Sequence, residues 1–249
     1  MIATYLRRGL AAGLLAGLLA GMFAFAFGEP LQDRAVVLEE KADSAHAQAH
    51  AHGAAPGHHG GGMVELSRST QKVGLFFATG LSGCFLGGIF GIAFALFRPR
   101  LSARSDWSRS LSLAAALFAG AALLPFLKYP TNPPGVGGPS TIGSRTTDYF
   151  AMMALSLVAV LAAWLAARFL RERSVSMPVR QASVGAGFAA LVGLLLALLP
   201  PSTDPGDFPA GLLWDYRLSS LGTLLTLWAA LGATFGALCE RANRKEGAG

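Results

Sequence analysis

The residues with the clearest chemistry are five histidines: His46, His50, His52, His58 and His59. They are all the histidines of the 249-residue chain, and they lie within 14 consecutive positions. Neutral imidazole is a ligand for cobalt, nickel, copper and zinc. The residues between them are mostly Ala, Gly, Pro and Gln, which add little bulk, and the spacing His46-x3-His50-x-His52 could present two or three ligands to one ion. The Gly60-Gly61-Gly62 run suggests a flexible arm whose site forms on binding. The competing reading is a solvated low-complexity loop, and the concentration of every histidine in one stretch favours metal contact. The cluster does not select its metal, because a loose imidazole set follows the Irving–Williams order and prefers copper or nickel to cobalt.

The rest of the sequence says what must hold this arm. Apolar residues make up 53% of the chain and charged residues only 14%, against about 25% charged in an ordinary soluble domain. The apolar residues form six blocks, Gly9–Phe27, Val73–Phe97, Ser110–Leu127, Tyr149–Ala167, Ala182–Leu199 and Leu218–Leu238, none with Asp, Glu, Lys, Arg or His. Each is 18 to 25 residues long, and about 20 helical residues cross a hydrocarbon core. Barrel strands would alternate apolar and polar residues, and these blocks do not. The expectation is an all-α membrane protein with six transmembrane helices. Residues 1–249 then form a single integral-membrane domain, with an outer, flexible, histidine-rich loop at 28–72 between helices 1 and 2.

Charge sets the expected orientation. Thirteen of the 20 Lys and Arg residues, with four acids, fall at the ends that share a side with both termini. That side carries +9 and the other −3, so both termini are expected in the cytoplasm. The basic character is accounted for without nucleic acid. A cleaved signal peptide at residues 1–28 is the rival for helix 1, but its 19 apolar residues exceed the usual 7–15. Gly9, Gly13, Gly17 and Gly21 also line one helical face, as Gly83, Gly87 and Gly91 do on helix 2, and such stripes let transmembrane backbones pack closely. Cys84 and Cys239 are expected to stay unpaired, since they belong at different depths.

The second and third outer loops are rich in proline and polar groups. Prolines 125, 130, 133 and 134 are expected to stop helix 3 and to leave a stiff segment offering Lys128, Asn132 and backbone carbonyls. The third loop leaves its helix at Pro200-Pro201 and presents Asp204, Asp207, Asp215 and Arg217. Irregular, oxygen-rich backbone near a membrane can line an ion entrance; the plain alternative is a pair of rigid corners. Leu123-Leu-Pro125 and Leu198-Leu-Pro200 hint at parallel repeats in helices 3–4 and 5–6. No span carries a carboxylate, a histidine or a basic residue, and no G-x-x-x-x-G-K-[ST] loop is present, so proton relays, buried zinc catalysis and ATP hydrolysis by that route are not expected. What remains within the membrane is neutral: Thr79, Ser82 and Cys84; Met152, Met153 and Ser156; Thr223 and Thr226.

The loop motifs carry a family resemblance. Gly28-Glu-Pro30 with Asp33-Arg-Ala35, Pro125-Phe-Leu-Lys-Tyr-Pro-Thr-Asn-Pro-Pro134, Thr141-Ile-Gly-Ser-Arg-Thr146 before Tyr149-Phe-Ala-Met152, and Asp207-Phe-Pro-Ala-Gly-Leu-Leu-Trp214 with Arg217-Leu-Ser-Ser-Leu-Gly222 resemble the CbtA family. That resemblance implies a multi-pass subunit of bacterial inner or plasma membranes that serves cobalt supply and is paired with a small, histidine-bearing membrane protein of the CbtB type. A homo-oligomer is also compatible. The expected function is uptake of a transition metal, cobalt by the resemblance, with the divalent ion as cargo, no permanently bound cofactor and no catalysis. The alternative is a scaffold that binds metal and a partner but transports nothing. Matching motifs and outer-face polarity single out Glu29, Asp33, Lys128, Asn132, Asp207 and Arg217 as entrance candidates.

Overall fold

A computed structural model describes residues 2–50, 68–101, 105–137, 139–202 and 204–246, and among these the chain is helical with no strand. Helix α1 (Ile2–Phe23) runs through a π-helical segment (Ala24–Gly28) into α2 (Glu29–His50) as one rod. Helix α3 (Arg68–Phe97) ends in a short 3-10 turn, Arg98–Arg100. The next rod is α4 (Asp106–Phe118), a second π segment (Ala119–Leu123) and α5 (Leu124–Lys128). Helices α6 (Ile142–Glu172), α7 (Met177–Leu198) and α8 (Ala210–Glu246) complete the chain. Six helices are long and apolar enough to cross a membrane, and each contains one of the expected blocks to within a residue. Phe77, Leu81 and Phe85, one turn apart along α3, are 76%, 74% and 68% exposed. A row of bare aromatic and aliphatic side chains of that kind needs lipid around it.

Helices α1, α3, α4 and α8 make the core, and α6 and α7 pack as a pair against the second π segment and α5. The glycine stripes meet as expected. A Cβ added to Gly13 would run into the carbonyl oxygen of Gly83, one on Gly9 into that of Gly87, and one on Gly91 into that of Tyr5. The α1–α3 contact is therefore backbone against backbone, and any side chain at these positions forces the helices apart. Beneath it, Phe235 of α8 lies edge-on to Phe90 and Phe94 of α3, with centroids 5.1 and 4.9 Å away. Both cysteines are free; Cys239 is fully buried.

Two departures from the sequence reading have one cause. The chain was expected to leave the helix at Gly28, and Glu29–His50 is instead helical. Helix 3 likewise passes Pro125 and ends at Lys128. A proline inside an α-helix lacks the N–H for its bond and clashes with the carbonyl four residues back. Here each proline follows a five-residue π segment with one residue between: Ala24–Gly28, Glu29, Pro30, and Ala119–Leu123, Leu124, Pro125. Glu29 N–H and Leu124 N–H reach back five residues, to the carbonyls of Ala24 and Ala119. The wider turn makes room for the ring and moves the i−4 carbonyl aside, so the rod continues. Beyond Pro30 the sequence is rich in Ala, Leu, Glu and Gln, which sustain a helix. At Pro200 no π segment precedes, and α7 stops at Leu198 with Leu199 extended.

The arginine-rich end of the bundle is closed by one carboxylate. Asp106, 3% exposed, accepts from Arg98 Nε and Nη2 at 2.8 and 2.9 Å, from Arg109 Nη1 at 2.9 Å and from Asn243 Nδ2 at 3.1 Å. It joins the end of α3, the start of α4 and the end of α8. Removing one member of such a group strands buried charge, which is costly. Ser105 caps α4, its hydroxyl accepting from Ser108 N–H at 3.1 Å.

Candidate functional site

At the opposite end the proline-rich loop after α5 acts as a hub. Lys128 Nζ donates to the Leu196 carbonyl at 2.7 Å, and Tyr129 OH donates to the Pro200 carbonyl at 2.9 Å. Both bonds hold the loop to the C-terminus of α7, where carbonyls lack helical partners and a cation meets the negative end of the helix dipole. On the other side Arg217 Nη2 of α8 donates to Asn132 Oδ1 at 2.9 Å. Gly135, at φ +82°, turns the loop where it passes Glu39 of α2 and Phe208 of the third loop. Burial, with the Asp148 carboxylate second, pushes the Tyr129 phenol above its usual range, so it remains a donor at neutral pH.

The hub walls a cavity of about 570 Å³. Its polar lining comes from Gln32 of α2, Asn132 of the loop, Arg145, Asp148 and Tyr149 of α6, and Tyr216 and Arg217 of α8. A second cavity of about 500 Å³ shares Gln32, Thr131, Tyr149 and Tyr216 with the first. It continues along the first π segment at Ala24 and Gly28, past Glu29, to Ser219, Ser220 and Thr223 of α8. The two share these walls and together form one recess, mixed polar and apolar at the loops and mainly apolar in surface where it reaches the membrane-spanning part of α8. Ser219 Oγ and Arg217 Nε are buried there with no hydrogen-bond partner, and Glu29 Oε2 is shielded from solvent. Buried polar atoms without partners are costly and mark places where water or a ligand completes the set.

The charges in the recess are two arginines, Arg145 and Arg217, and two carboxylates, Glu29 and Asp148. With two charges of each sign, such walls carry no net charge to concentrate a cation. They offer oxygen donors to a hydrated ion without holding it tightly, which suits passage better than storage. Among the described residues no group of three or more His, Cys, Asp or Glu side chains converges.

Three of the six residues singled out from the sequence line the recess: Glu29, Asn132 and Arg217. Lys128 does not; its ammonium is on the end of α7. Asp33 is half-buried on α2, one turn beyond Glu29, and Asp207 is exposed before α8. Neither belongs to the lining. His46 and His50 stand on the last turn and a half of α2, with their side chains outside the described set. His52, His58 and His59 lie outside the described residues altogether. Of the neutral membrane candidates only Thr223 reaches the recess. Thr79, Thr223 and Thr226 hydroxyls donate to their own helix backbones, at Leu75, Ser219 and Gly222, and Met152 is fully buried.

The sequence reading did not single out Gln32, Arg145, Tyr149, Asp148, Tyr216 or Ser219 as site residues. Tyr149 and Tyr216 have the signature of interface aromatics, and only their meeting across the recess gives them another role. Arg145 sits inside the Thr141-Ile-Gly-Ser-Arg-Thr146 motif and Ser219 inside Arg217-Leu-Ser-Ser, which was the available signal.

The model of the family described as probable cobalt transporter subunit (CbtA) matches residues 2–240, nearly the whole chain. No curated protein and no solved structure matches it. The chain belongs to the CbtA family. With six apolar helices it is a multi-pass protein of a lipid bilayer, and the family description makes it a transporter subunit, one member of a larger assembly.

Proposed function

We propose that this chain is the membrane permease subunit of a cobalt uptake system in the bacterial inner membrane. Both termini face the cytoplasm and the proline end faces outward, as the excess of arginine at the opposite end favours. The histidine-bearing segment, His46 to His59, collects divalent metal and delivers it to the recess beneath the second and third loops. The supporting observation is that Glu29, Asn132 and Arg217, each from a family motif, line one recess that continues along a π segment into the bundle. Cobalt is named by the family description, since imidazole alone would favour copper or nickel. The ion is cargo, and the chain carries out no chemical conversion. A small histidine-bearing membrane protein of the CbtB type is the proposed partner, with self-association as a second way of completing the assembly.

The test is accumulation of labelled cobalt, with nickel as competitor, in cells lacking their own cobalt importers. The chain is expressed alone and with the partner. Uptake above the empty vector in either case supports the proposal, and the arm is probed by changing all five histidines to alanine. That variant is expected to lose uptake at low cobalt and keep it at saturating cobalt. A correctly inserted protein without uptake in both settings would leave a scaffold that transports nothing.

A further inference from the structure

At the arginine end, away from both the recess and the Asp106 cluster, four arginines surround one cavity of about 360 Å³. Arg100 comes from the turn after α3, Arg168 and Arg171 from α6, and Arg180 from α7, with Ser112 of α4 and Trp164 of α6 beside them. Among the described residues the one carboxylate ion-paired with them is the exposed Glu172, whose Oε1 lies 3.0 Å from Arg168 Nε. Arg100 Nη1 donates to the Leu96 carbonyl at 3.0 Å. Among the described residues Arg171 and Arg180 have no carboxylate partner. Four guanidiniums around one space repel each other unless an anion occupies it, and their planar forks match phosphate oxygens.

The position says which anion. The cavity lies where the membrane-crossing helices end, at Arg100 and Glu172, and where α7 begins at Met177. Trp164, edge-on to Phe97 at 5.9 Å, stands one turn before Arg168, near the end of its span. A separate groove of about 200 Å³ runs between α6 and α7, lined by small and apolar residues that include Ala159, Ala163, Ala166 and Gly187. It reaches Leu170, between Arg168 and Arg171, and Ser183, three residues after Arg180. The pocket and the groove share no lining residue, but Leu170 and Ser183 stand within one helical turn of Arg171 and Arg180, so a lipid with its phosphate among the arginines can reach the groove with an acyl chain.

We infer that this pocket binds the phosphate headgroup of an anionic phospholipid, with one chain laid along the α6–α7 groove. Basic pockets between membrane helices recognise such headgroups by charge. The lipid phosphate offsets part of the charge of the arginine cluster and fastens the α6–α7 pair to the ends of α3 and α4.

The full chain, purified in a neutral detergent, is titrated with phosphatidylglycerol, cardiolipin or phosphatidylcholine and read by native mass spectrometry. The two anionic lipids are expected to be retained at least about ten-fold more than phosphatidylcholine. The triple variant Arg100→Gln, Arg171→Gln, Arg180→Gln is expected to fall to the phosphatidylcholine level. The variant Arg241→Gln, Arg244→Gln, which removes charge from the same end but not from this pocket, is expected to keep the preference. Equal retention of all three lipids, or an equal loss in the Arg241/Arg244 variant, would overturn the inference. Displacement of the lipid by millimolar inorganic phosphate would make this a site for a soluble anion and would also overturn it. If the triple variant does not fold, Arg171→Gln and Arg180→Gln are measured singly. Each is then expected to lower retention two- to three-fold, and no change in either counts against the site.

Discussion

At one end of the bundle Asp106 sits in a closed knot with Arg98, Arg109 and Asn243, each bond 2.8 to 3.1 Å long. At the other, Asn132 and Arg217 meet at 2.9 Å across the edge of a recess, and Arg217 Nε and Ser219 Oγ stay buried without partners. Arginine serves differently in the two settings: in the first Arg98 and Arg109 are neutralised by a shared carboxylate, although Arg109 Nε is left without a partner, and in the second Arg217 meets only a neutral amide. Stability and function divide accordingly. The Asp106 end ties three helices together close to the buried Cys239, while the proline end leaves polar groups around an open recess. Under the proposed function and orientation, the recess is a metal entrance open to the outside and the Asp106 end is shut toward the cytoplasm.

The largest expected effect comes from breaking the closed end. Asp106→Asn should cost about 3 kcal/mol, because two arginines lose the carboxylate that neutralises them. In a Cys84→Ala background it should also expose Cys239 to maleimide, while the parent remains unlabelled. An unchanged melting temperature together with an unlabelled Cys239 would deny the knot its closing role. Next comes the scaffold common to both ends. Gly13→Leu should cost at least about 2 kcal/mol by driving α1 off α3, read as a lower yield of folded protein and a lower melting temperature.

Effects at the open end are smaller in stability and larger in activity. Arg217→Gln removes the bond to Asn132 and should cost about 1 kcal/mol, while changing maximal cobalt flux several-fold with little effect on half-saturation. A flux equal to wild type would exclude Arg217 from the path. Lys128→Met is the smallest case. It should lower stability by about 0.5–1 kcal/mol, through loss of the bond to the Leu196 carbonyl, and leave flux intact. A flux loss there as large as that of Arg217→Gln would erase the distinction between lining and supporting residues.

The parts of this architecture that depend on local sequence were legible without coordinates. Six uncharged blocks specify six spans, and glycines at every fourth position of α1 and α3 specify a seam, because both signals follow from helical period and lipid solvation alone. Helix ends were harder: the first outer loop was expected from Gly28, and Pro125 was read as a stop. Pro30 and Pro125 are bridged by π segments whose Ala, Phe, Gly and Leu residues announce nothing in the sequence. The recess was half legible for a related reason. Glu29, Asn132 and Arg217 stand out as polar residues in motifs, whereas Tyr149, Tyr216 and Ser219 acquire meaning only when α6 and α8 bring them to one space. Lys128 has the same sequence signature as Asn132, and only the position of the Leu196 carbonyl separates them.

The contrast between the two ends is tested most directly by accessibility from one side of the membrane. In cells carrying a Cys84→Ala variant with Thr131→Cys in the wall of the recess, a membrane-impermeant thiol reagent is applied from outside, with and without cobalt. The account predicts that Thr131→Cys is labelled, that cobalt but not magnesium slows the labelling, and that Cys239 stays unlabelled throughout. Labelling of Cys239 with Thr131→Cys silent, or labelling of Thr131→Cys that cobalt leaves unchanged, would contradict a metal entrance at the proline end.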